Sequence, residues 1–180
     1  FSVAVTGVGG ALASGGSVGN VFRHNDIQAR TRSFFLQNAQ EITITSNTIC
    51  VNQTAPATSA FGVLATDLGH VMSNVTFNIT CNNLAQLNAT TNHSDGYGVT
   101  GIQLEYNGSS RAYNVTNNMI GRLKLTRTSA RSAGQLCGIR HSASNDATLN
   151  IYHNSINSLN SFAPYTGLDG GNCMGFGITG

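Results

Sequence analysis

An all-β solenoid of stacked parallel strands, about five coils of roughly 36 residues each, is the fold this 180-residue sequence predicts. Three observations predict it. A stretch of sequence recurs at a 36-residue offset, one asparagine returns at a single phase of the repeat, and apolar residues alternate with polar ones instead of following a helical period.

The repeat is clearest when residues 61–82 are laid over residues 97–118 without a gap. Phe61 then meets Tyr97, Gly62 meets Gly98, Val63 meets Val99, Phe77 meets Tyr113, Asn78 meets Asn114 and Asn82 meets Asn118. The second half of the unit, apolar-x-x-Asn-x-apolar, also fits residues 22–27, 44–49, 79–84, 115–120 and 151–156. Its asparagines are Asn25, Asn47, Asn82, Asn118 and Asn154, spaced by 22, 35, 36 and 36 residues. The first half recurs as a glycine-led strand at Gly62, Gly98 to Gly101, Gly138 and Gly175. Residues 1–7 parallel residues 174–180, so the chain reads as one segment, 1–180, cut at a coil boundary from a longer repeat protein.

Strands follow from period-two alternation, as in Glu41-Ile42-Thr43-Ile44-Thr45, where isoleucines take one face and threonines the other. One such unit cannot bury its apolar face alone, whereas stacked neighbours bury a continuous core. The expected inward columns are Ile44, Ile79, Val115 and Ile151, and Ile27, Ile49, Leu84, Ile120 and Ile156. Between them the five asparagines are expected as a ladder at one corner. Asparagine tolerates the left-handed backbone of a sharp turn, and its amide can donate to one neighbour while accepting from another.

Gly-Ile-x-Ile strands followed by Asn-x-Ile turns resemble the right-handed parallel β-helix repeat family, the pectate-lyase-like fold. The resemblance covers nearly the whole chain and implies a right-handed parallel β-helix (β-solenoid). It implies no function, because unrelated activities share one fold. Enzymes of this fold cleave polysaccharides with clustered Asp, or with paired Asp on adjacent strands. Here the seven acids are dispersed, with none within four positions of another. His141, Asp146 and Arg140 are the best remaining catalytic candidates, and a polar loop is the plainer reading. The expectation is no catalytic residue, no metal and no cofactor, because His and Cys are scattered and Asp95 and Asp169 stand alone. A missing coil of a longer protein could still carry chemistry.

Composition narrows the partners. Charged residues make up 9% of the chain and the formal net charge is +2, so Arg122, Lys124, Arg127 and Arg131 read as a solvated face and not as a nucleic-acid patch. No apolar run approaches the roughly 20 residues of a membrane helix. Hydrophobic residues reach 40%, which argues for a folded chain. Seven Asn-x-Ser/Thr sequons, at Asn52, Asn74, Asn78, Asn88, Asn92, Asn107 and Asn114, are glycosylation candidates. Together with an even count of four cysteines they point to an extracellular, secreted protein. Cys137 and Cys173 lie 36 residues apart at the start of glycine-led strands, so a bridge between adjacent coils is expected, with Cys50–Cys81 as a second candidate pair.

The surplus of each coil is expected to leave as loops at 52–60, 88–96, 127–135 and 160–171, forming a ridge on one edge. The reading is an extracellular structural or surface segment, such as a stalk, fibre, coat or appendage filament. Its partners would be further coils of the same chain or copies of itself. The alternative is an adhesin-like module presenting the ridge to surface glycans. A polysaccharide lyase or hydrolase with its catalytic coil elsewhere comes third.

Overall fold

The computed structural model describes residues 3–6, 19–37, 39–53, 59–66, 75–91, 98–105, 111–127, 134–142, 147–162 and 173–179. These residues form strands and turns, with no helix among them. In chain order the strands are β1 (Val3–Thr6), β2 (Asn20–Arg23), β3 (Asp26–Ala29), β4 (Arg32–Gln37), β5 (Glu41–Thr45) and β6 (Thr48–Gln53). There follow β7 (Ala60–Thr66), β8 (Val75–Thr80), β9 (Asn83–Thr91), β10 (Val99–Glu105), β11 (Arg111–Thr116), β12 (Met119–Ile120) and β13 (Leu123–Arg127). The last are β14 (Leu136–Ser142), β15 (Ala147–Tyr152), β16 (Ser155–Ile156), β17 (Leu159–Phe162) and β18 (Cys173–Thr179).

Three parallel sheets stack into a β-solenoid. The first runs β1-β4-β7-β10-β14-β18 and the second β2-β5-β8-β11-β15. In the third, β3, β6 and β9 are followed by the pairs β12, β13 and β16, β17. Each strand pairs with the one that occupies the same place a turn later, so alternate residues stack in columns. Phe22, Ile44, Ile79, Val115 and Ile151 form one column of the second sheet. Ile27, Ile49, Leu84, Ile120 and Ile156 form one of the third. The central members are fully buried.

Glycine in the first sheet lets these columns close. A Cβ on Gly62 would lie 2.6 Å from Leu84 Cδ2, one on Gly101 2.8 Å from Ile120 Cγ2, and one on Gly138 2.6 Å from Ile156 Cγ2. The same Cβ atoms would fall 2.5 to 2.6 Å from the carbonyl oxygen of the next glycine in the row. The Leu84-Ile120-Ile156 column therefore rests directly on bare backbone, a contact that any side chain would block.

The register corrects the gap-free superposition. The second and third sheets keep the 36-residue step, with Ile79 opposite Val115 and Leu84 opposite Ile120. In the first sheet Val99 pairs with Ala60, a step of 39, and with Leu136, a step of 37. Gly62 thus aligns with Gly101, between the pairs Phe61–Thr100 and Val63–Ile102, and not with Gly98. Length varies on both sides of the first sheet, where the chain enters it from the third and where it leaves for the second. The two-residue corner between the second and third sheets has no room for an insertion.

Candidate functional site

The asparagine ladder is an unbroken chain of hydrogen bonds at that corner. Asn25 Nδ2 donates to Asn47 Oδ1 at 2.9 Å. Asn47, Asn82 and Asn118 Nδ2 donate to the next Oδ1 at 3.0 Å each, ending on Asn154. Every backbone N–H from Asn25 to Asn118 donates to the same oxygen at 3.0 Å. The second amide proton reaches a main-chain carbonyl of the previous turn: Asn82 to Ile44 at 2.8 Å, Asn118 to Ile79 at 2.7 Å and Asn154 to Val115 at 2.7 Å. Each central side chain is satisfied on all sides, which is what buried amides require.

The reason expected for asparagine at this corner needs correction. The left-handed residues are the ones before it: His24, Ser46, Cys81, Asn117 and His153, with φ of 55 to 57°. The preceding residue carries the turn, and the ladder asparagine saturates the polar groups that the turn exposes.

A second row lies on the outer face of the second sheet. Asn150 Nδ2 donates to Asn114 Oδ1 at 2.8 Å, Asn114 Nδ2 to Asn78 Oδ1 at 2.7 Å, and Thr80 Oγ1 to Thr45 Oγ1 at 3.1 Å. Two sequons sit in this row, because Asn-x-Thr in a strand puts both polar residues on one face. Their spacing of 36 residues puts Asn78 and Asn114 at the same outward phase of the repeat, and the register sets them opposite one another. Asn52 and Asn88 stand in β6 and β9, opposite one another, and not on a loop ridge as expected. Asn74, Asn92 and Asn107 lie outside the described residues, as do Asp146 and residues 54–58, 92–96, 128–133 and 163–171 of the expected loops.

The expected Cys137–Cys173 bridge is not formed. Cys137, Cys50 and Cys81 are free thiols. The register sets Cys173 beside Leu136 and Met174 beside Cys137, because the step here is 37 and not 36. A bridge would ask two positions of opposite parity to meet. Cys137 Sγ donates to Ile139 O at 3.2 Å, and burial pushes its pKa up. Cys50 pairs in register with Gln28 and Gln86, whereas Cys81 is an exposed corner residue, so that pair is not brought together either.

Arg140 and His141 face opposite sides of β14. Arg140 Nη1 donates to Gln135 Oε1 at 3.1 Å, while His141 is 4% exposed and points inward. His141 stands in a column that runs Val5, Leu36, Ala65, Leu104, His141 and Ile178, the one titratable residue in an otherwise apolar row. Beside it, Arg111 takes the place that Val75 holds in the preceding strand, and Tyr113 that of Phe77. The rings of Tyr113 and His141 lie 5.7 Å apart. Both imidazole nitrogens are buried with no hydrogen-bond partner among the described residues. Burial, and then the nearby Arg111 guanidinium, lower the His141 pKa. Three apolar column positions have thus become a polar island inside the solenoid. Among the described residues there is no group of three or more His, Cys, Asp or Glu.

The outer face of the third sheet carries a groove. One open cavity of about 540 Å³ is lined by Gln86, Asn88, Arg122, Lys124, Ser158 and Asn160 over the edges of Leu123 and Leu159. A second, of about 570 Å³, shares Gln86 and continues past Cys50 and Asn52 to Gln28 and Arg30. Two rows of side chains line it along the stacking direction, and Asn52, Asn88, Lys124 and Asn160 are successive register partners in one of them. Arg122 and Ser158, each with φ of 54°, turn the chain between the paired short strands. The sequence places Arg122 and Lys124 on a solvated face, and the lining of the second cavity adds Arg30 to the same surface.

No protein family, no curated protein and no solved structure matches this chain.

Proposed function

We propose that this chain is a structural module of an extracellular surface protein, a right-handed parallel β-helix of about five coils that serves as stalk, coat or filament. The observation that carries the reading is the uninterrupted ladder from Asn25 to Asn154, with identical bonds at each central step. Such a row repeats the same corner at every coil, so that stability and length both grow by addition. Chemistry needs a place where the repeat departs into convergent reactive groups. The dispersed acids of the sequence favour a non-enzymatic role.

Its partners are further coils or copies that stack on the open sheet edges. Leu149, Ile151, Ile156 and Leu159, at the last strands of their columns, are only partly buried, whereas their predecessors are fully covered. Phe176, at the end of a first-sheet column, is 44% exposed for the same reason.

The test removes one repeat. Deleting residues 83–118 joins Asn82 to Met119 at the same phase of the corner. A folded, cooperatively unfolding protein with retained parallel-sheet spectroscopic signature is expected. An unfolded product, or release of reducing ends or unsaturated products from a panel of linear polysaccharides by the intact chain, would overturn the structural reading.

A further inference from the structure

We propose that the groove on the third sheet binds a linear polysaccharide that bears acidic groups at intervals, with neutral sugars between them. The argument rests on what lines the groove and in what order. Its cations are Arg30 at one end and Arg122 with Lys124 towards the other, and no acid lines either cavity. None of the three cations makes an ion pair or hydrogen bond with a described residue, so their charge is available to a ligand.

Between them the lining is neutral. Asn52 and Asn88 precede Lys124 in one row, Arg30 directly follows Ala29, the last β3 residue paired with β6, and Cys50 and Gln86 lie beside them. Three strand spacings separate Arg30 from Lys124, about 14 Å at about 4.8 Å each. Carboxamides both donate and accept, which suits the hydroxyls of a neutral sugar. A ligand charged at every unit would place anions against amides that cannot neutralise them. An extended peptide, with its rise of about 3.3 Å per residue, falls out of step with side chains repeating at about 4.8 Å. No aromatic side chain lines the groove, so bases of a single-stranded nucleic acid would find nothing to stack on. The cations are set apart along the stacking axis with two successive amides between them, so the ligand lies along that axis and crosses the strands.

The test is calorimetric titration of the intact chain at low ionic strength. The probes are oligosaccharides of gellan, in which acidic sugars are separated by neutral ones, of polygalacturonate, acidic at every sugar, and of neutral dextran, with polyglutamate as the peptide. Gellan oligosaccharides are expected to bind, and more tightly than the other three. Arg30→Gln and Lys124→Gln should each weaken binding about two- to fivefold, and the triple variant with Arg122→Gln should abolish it. Arg23→Gln, on the second sheet, should leave it unchanged. Failure of gellan to bind, equal or tighter binding of polygalacturonate, dextran or polyglutamate, or indifference to the triple substitution would each overturn the proposal. These outcomes are separate from those of the repeat deletion, because a spacer with an inert groove would still fold when shortened.

Discussion

The corner holding Asn47, Asn82 and Asn118 and the interior beside Arg111, Tyr113 and His141 are both buried and both polar, yet they relate to the repeat in opposite ways. At the corner the same residue returns at every turn, so each amide meets its own kind and every donor finds an acceptor. In the interior Val75 gives way to Arg111, Phe77 to Tyr113 and Leu104 to His141, and the His141 nitrogens find no partner among the described residues. Repetition turns a buried polar group into a stabilising one, because each turn supplies what the next one needs. A polar group that enters a column once has no such guarantee, and desolvation then disfavours its charged form.

Breaking the repeat where it is intact should have the largest effect. Asn118→Leu strips the acceptor from the N–H and Nδ2 of Asn82 and one of two donors, the Nδ2, from Asn154 Oδ1, which keeps the backbone N–H of position 118. At about 1–3 kcal/mol per unsatisfied buried group, a loss of roughly 3 kcal/mol or more is expected, read as a lower urea midpoint. Asn150→Ala on the exposed outer row should shift that midpoint by about 0.5 kcal/mol or less.

The glycine row offers a smaller, graded contrast. Gly101→Ala would drive its Cβ to 2.5 Å from Gly138 O and 2.8 Å from Ile120 Cγ2, and should cost about 1–3 kcal/mol in thermal or urea unfolding. Gly175→Ala, with nothing within 4 Å of its Cβ, should fall within about 0.5 kcal/mol of the parent.

The third test heals the repeat instead. The folded-state pKa of His141 lies below its unfolded value, so the unfolded chain binds more protons in acid. Its contribution is fully present above the unfolded pKa of about 6.5 and is lost as pH falls below that value towards the folded pKa, with a slope of at most about 1.4 kcal/mol per pH unit. His141→Leu, which continues the Leu36-Ala65-Leu104 column, should flatten unfolding midpoints measured between about pH 5 and pH 8. An unchanged slope would place the acid sensitivity elsewhere.

Much of the architecture could be read from the residues, and the reasons are physical. Alternation in 41–45 and the asparagine spacing report local geometry, and stacking multiplies each local choice into a column or a row. The sites were less legible. Arg30 and Lys124 are 94 residues apart and share a groove only because register sets β3, which Arg30 directly follows, three places from β13, which holds Lys124. His141 looked like a loop residue because its strand, Leu136–Ser142, runs past the apolar stretch that announces it.

By itself the sequence determined the all-β class, the asparagine row and the apolar columns, because those follow from periodicity and from residues that recur. Only the tertiary structure decided the register of the first sheet, where segments of unequal length between sheets set the step at 39 or 37 and not 36. That register, which no local pattern encodes, put Gly101 and not Gly98 beneath Ile120 and moved Cys173 one place away from Cys137. It also turned His141 into the core, because in a strand of period two a shift of one residue exchanges the faces.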